Sequence, residues 1–106
     1  MGVRAAVGGF GGVVTVGVLW LELWLSDSGS LKEKRVAIKG LKDRLRHRFN
    51  VSVAEVDHLE TWQRSTVAVA AAGADRQYVN GVLDRAAQVV GQSARLQVLE
   101  TRLEWR

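Results

Sequence analysis

The chain has 106 residues, 15 Lys+Arg against 11 Asp+Glu, a formal charge of +4, no Cys and no Pro. The length predicts one domain, and 47% hydrophobic residues exclude a disordered chain. Without Cys there is no disulfide framework, no thiolate zinc site and no thiol nucleophile.

Residues 1–12 are read as a flexible Gly-rich extension, and 13–106 as the single domain. Ala5 to Leu21 is uncharged and follows Arg4, the outline of a signal peptide. Five glycines within it disfavour a helix, and it runs without a cleavage site into an alternating pattern. A signal peptide and a membrane span are therefore not expected, and the expected location is the cytoplasm. The glycines from Gly8 to Gly12 form no phosphate loop, since no Lys follows them.

Val14 to Leu25 reads as a strand. Leu19, Leu21, Leu23 and Leu25 share one face; Trp20, Glu22 and Trp24 share the other. Ser30 to Arg48 reads as a helix, with Ser30 and Glu33 matching a capping box. Its apolar stripe is Leu31, Ile38, Leu41, Leu45 and the following Phe49. Gly40 costs this helix about 1 kcal/mol of propensity, and a close packing contact is the expected reason for it.

Asn50 to Asp57 reads as a second strand, and His58 to Arg64 as a loop carrying Trp62. A third strand follows from Ser65 to Ala72, with Val67 and Val69 opposite in facing to Thr66, Ala68 and Ala70. Asp75 is placed as the N-cap of a second helix, Arg76 to Val90, which Gly91 ends. The last strand runs from about Arg95 to Trp105. Its register stays open, because Leu99, Leu103 and Trp105 lie on one parity and Leu96 and Val98 on the other.

The order βαββαβ predicts an α+β fold: a ferredoxin-like sandwich, a four-stranded antiparallel sheet with two helices on one face. The leucine parity of the first strand then faces the helices. Trp20 and Trp24 fall on the open face, beside Ala68 and Ala70.

Three features could carry chemistry. The first is charge. Ser30 to Arg48 holds eight bases and two acids, while the rest of the chain holds seven bases and nine acids. Lys32, Arg35, Lys39, Lys42 and Arg46 form a stripe at helical spacing that can follow a phosphate backbone. The competing reading is a solvated face with snorkelling stems. The second is the open face, where Trp20 and Trp24 suit base stacking or a protein interface such as a homodimer. The third strand offers no aromatic partner, which favours the protein interface. The third is Glu55, Asp57, His58 and Glu60, three acids and a His. Alternation keeps only Glu55 and Asp57 on one side, too few for a metal site. With no Ser-His-Asp spacing and no metalloprotease pattern, the reading is non-enzymatic, with no catalytic residues, no metal, no cofactor and no small-molecule ligand.

Several strings together resemble a known family. They are Ser30-Leu31-Lys32-Glu33-Lys34-Arg35, Leu41-Lys42-Asp43-Arg44-Leu45, Phe49 to His58 and Trp62-Gln63-Arg64. They resemble the YlxP-like family of small bacterial proteins of unknown function, from about Val16 to the last strand. The resemblance implies the ferredoxin-like fold and supplies no catalytic residue. Genes of the family often lie beside those for ribosome maturation and translation initiation, which implies an RNA- or ribosome-linked role. The first twelve residues look like an addition to the family pattern. Trp20 and Trp24 stand where more polar residues are expected, which makes this open face more apolar.

Overall fold

The computed structural model describes residues 2–6 and 8–106. The elements are β1 (Thr15–Trp24), α1 (Leu31–Arg48), β2 (Ser52–Asp57), β3 (Arg64–Gly73), α2 (Arg76–Gly91) and β4 (Gln97–Trp105). They form one antiparallel sheet in the order β2-β3-β1-β4, so the two βαβ crossovers interleave. This is the ferredoxin-like α+β sandwich that the sequence predicts. Of the extension read at 1–12, Met1 and Val7 lie outside the described residues; the others carry no helix or strand.

The core lies between the sheet and the helices. Leu19, Leu21, Leu23 and Leu25 are 5% exposed or less, as the strand alternation requires. They meet Ile38, Leu41 and Leu45 of α1 and Val79, Leu83 and Val90 of α2 in one cluster. Gly17 of β1 allows α2 and β4 a close approach. A Cβ there would stand 2.9 Å from Leu83, 3.0 Å from Val79 and 3.1 Å from the Trp105 ring. Arg76 stacks on the same indole, with its guanidinium 4.6 Å from the centre of a Trp105 ring.

Both helices begin where their caps require. Ser30 Oγ accepts from the Glu33 amide at 3.1 Å, and Glu33 Oε2 accepts from the Gly29 amide at 2.7 Å. The returning carboxylate thus reaches one residue further back than a standard capping box. Asp75 accepts from the Tyr78 amide at 2.8 Å at the start of α2. Gly91 is the last helical residue, and Gln92 caps the end.

Three expectations need correction. Gly40 is not a close-packing site, since a Cβ there meets nothing within 4 Å. The residue points away from the core, so its propensity cost has no packing compensation. The pairing partners of Trp24 are Arg64 and Gln97, not an alanine; the register sets Trp20 opposite Ala68 and leaves Ala70 to Val18. Glu55 and Asp57 do not share a side. Regular alternation from Val53 sets Glu55 opposite Val67, toward the helices, and a bulge after it sets Asp57 opposite Thr66, toward the open face.

A second bulge settles the last strand. Glu22 pairs with Glu100 but Leu23 pairs with Val98, leaving Leu99 as the extra residue. Leu96 and Val98 therefore turn inward before the bulge, and Leu103 and Trp105 lie on the helix side after it. Both apolar parities serve one face because the pleat is interrupted once.

Candidate functional site

Three polar constellations lie around β2. The first is the basic stripe on α1. Arg35, Lys39, Lys42 and Arg46 line one groove of about 360 Å³ between the helix and the sheet edge. Lys32 is exposed one turn before it and lies outside the groove. Two of the five cations are engaged. Lys39 pairs with Asp43 at 2.7 Å, and Arg46 donates to the Val53 carbonyl of β2 at 2.8 Å. The Lys39 hydrogen bond leads the influences that hold the Asp43 carboxyl below its ordinary value. Both members of that pair are exposed, so the pair is weak and readily exchanged for another anion.

The second is a buried network that the sequence reading missed. Lys34 is fully buried, and its Nζ stands 2.6 Å from Glu55 Oε2. The same ammonium donates to the His58 carbonyl, and the Ser65 hydroxyl donates to Glu55 at 2.7 Å. The signal was present in the helix pattern. Lys34 occupies the position between Leu31 and Ile38 on the apolar stripe, where a cation requires a buried partner. Alternation with buried Val53 already turns Glu55 toward the helices, but that it meets Lys34 depends on how α1 packs on the sheet, which no local pattern shows.

The third lies on the open face. Glu22 accepts from the Thr66 hydroxyl through one oxygen and from Arg64 at 3.1 Å through the other. His58 Nε2 lies 3.8 Å away. The Thr66 hydrogen bond is the main cause of a lowered Glu22 pKa, assisted by Arg64 and by the His58 and Arg64 charges against an opposing push from burial. His58 joins the two networks. Its φ of 59° is in the left-handed region. Its carbonyl serves Lys34 while its ring reaches toward Glu22. Asp57 supports this turn by accepting from the His58 amide at 2.7 Å.

Trp20 lines a groove of about 620 Å³ on the open face with Glu22, Val56, Asp57 and residues of β4. Trp20 and Trp24 are both half-buried. Trp24 ends the strand on the same face and does not line this groove. Among the described residues, no three or more His, Asp or Glu side chains come together as metal ligands. No helix of the described residues is long and apolar enough to cross a membrane.

A ferredoxin-like α+β domain with a cationic helix beside one sheet edge is the class these features define. The chain belongs to the family of proteins of unknown function DUF503, which matches residues 16–103. It is similar to the uncharacterized protein YlxP of Bacillus subtilis (strain 168), with 33% identity over 90 residues. That match covers 85% of this chain and 98% of the relative. Both networks around His58 and the whole basic stripe lie within the matched span; the first 15 residues precede it.

Proposed function

We propose that this protein is a non-enzymatic accessory protein of the bacterial cytoplasm that binds structured RNA, free or in the ribosome, through α1. The observation that carries the reading is the alignment of Arg35, Lys39, Lys42 and Arg46 along one solvent-open groove. A row of cations with exchangeable local partners suits phosphates and carries no base readout. Seven bases of α1 remain once buried Lys34 is set aside, against two acids, so the surface of the helix is strongly positive. The test is RNA affinity as a function of salt. Each phosphate contact contributes roughly one unit to the slope of log affinity against log salt. Lys39→Glu/Lys42→Glu is expected to flatten that slope by about two units. An absence of RNA binding at about 50 mM salt, or an unchanged slope in the variant, overturns the reading.

A second reading gives the open face to a protein contact, and the groove beside Trp20 supports it. Aromatic anchors in a groove are the usual centre of such contacts. Trp20→Ala removes the anchor. It is expected to abolish a homodimer formed through that face and to leave RNA affinity unchanged.

A further inference from the structure

The sheet has two edges, and they are finished differently. The β2 edge is six residues long, bulged, and covered at Val53 by Arg46. The β4 edge is nine residues long, and seven of those residues are exposed. A long uncovered edge is a template for another strand.

The backbone phase of this edge follows from one hydrogen bond. The Arg106 amide donates to Val16 at 2.8 Å, toward β1. By antiparallel alternation, the backbones of Glu104, Arg102 and Glu100 also point toward β1. Those of Thr101, Leu103 and Trp105 point out of the sheet. The side chains of Glu100, Arg102, Glu104 and Arg106 share the open face and alternate in sign.

We propose that β4 is a homodimer edge: two copies pair antiparallel about a two-fold axis at Leu103. In this register Leu103 faces its own copy and Thr101 faces Trp105, so the outward backbone groups of the two strands meet. Glu100 then stands opposite Arg106, and Arg102 opposite Glu104, with every pair occurring twice. Shifting the axis to Arg102 or Glu104 sets like charges opposite one another, which disfavours both neighbouring registers. Within one chain the same groups pair along the strand, Arg102 with Glu100 at 3.4 Å and Arg106 with Glu104 at 2.7 Å. These are exposed contacts and cost little to exchange.

Leu103 adds an apolar contact. It is 41% exposed and borders a shallow groove between α2 and β4, lined by Leu19, Leu83 and Ala87. Two-fold pairing closes that groove with the partner's copy. The product is one eight-stranded sheet with a basic α1 near each end. The outermost strands would then be separated by seven strand spacings, roughly 34 Å. This edge is separate from α1, so the inference does not rest on the RNA reading; Arg102 and Glu104 do border the Trp20 groove, and the charge variants below distinguish edge pairing from a contact anchored by that indole.

The experiment is sedimentation equilibrium of the full chain and of two single variants, Arg102→Glu and Glu104→Arg. A lone strand edge buries less than the roughly 1,200 Å² of a standard interface, so a micromolar dissociation constant is expected. Each variant sets two like-charge pairs across the axis and should weaken the dimer at least tenfold. Mixing the two variants restores opposite charges at both positions and should restore a heterodimer. Circular dichroism and thermal melts confirm that the exposed substitutions leave the fold intact. A wild-type chain that stays monomeric at roughly 100 µM overturns the proposal. So does a dimer that both variants keep, or one that Trp20→Ala breaks and Arg102→Glu does not.

Discussion

Replacing Lys34 by Met tests the buried network most directly. Met keeps the length of the stem but removes the ammonium. Glu55 then stays 14% exposed with only the Ser65 hydroxyl, and the His58 carbonyl keeps only the Thr61 amide of its two donors. Removing one partner of a buried ion pair costs about 3–5 kcal/mol. Glu55 borders the α1 groove, where water can reach it, so the lower end applies, about 3 kcal/mol. For a domain of this size that is a fall in melting temperature of about 12 °C or more. Glu55→Leu alone should cost a similar amount, because it leaves the ammonium buried and unpaired. The double variant leaves neither charge behind. Its residual cost is chiefly that of the buried Ser65 hydroxyl, which loses its acceptor, on the order of 1–2 kcal/mol. Urea denaturation of the four proteins closes the cycle, with an expected coupling of about 2 kcal/mol or more. Single variants within about 1 kcal/mol of the parent, or strictly additive losses, would refute the assignment of Lys34 and Glu55 as a structural pair.

Two glycines should respond in opposite directions. Gly17→Ala forces a methyl against Leu83, Val79 and Trp105 and should destabilise by about 1–3 kcal/mol in urea denaturation. Gly40→Ala meets open space in the middle of α1 and should stabilise by about 0.5–1 kcal/mol. Glu22 should show in the acid limb of a stability profile. Its folded pKa is lowered, chiefly by Thr66, so its contribution is complete above the unfolded carboxylate pKa and is lost as pH falls through the folded value. Glu22→Gln cannot titrate and should therefore lose less stability than the parent below about pH 5; parallel profiles would argue against the assignment.

The elements and their facings are legible in the sequence because each depends on neighbours a few residues away. The Ser30 and Asp75 caps, the leucine alternation of β1 and the apolar stripe of α1 are all local patterns. Two right-handed crossovers then leave few topologies, and the observed sheet order is the expected one. The basic stripe was equally legible, since helical spacing alone aligns its cations.

The sites that depend on pairing between distant segments were not. The bulges at Val56 and Leu99 interrupt the period of two, and their positions depend on how β2 meets β3 and how β4 meets β1. Through the first, Asp57 reaches the open face, while Glu55 stays with Val53 on the helix side and meets Lys34. Through the second, β4 places both of its apolar parities on the core and keeps its charges in one alternating row. Local chemistry determined which segments form helices and strands; register, a long-range property, determined which charges meet and which edge stays open.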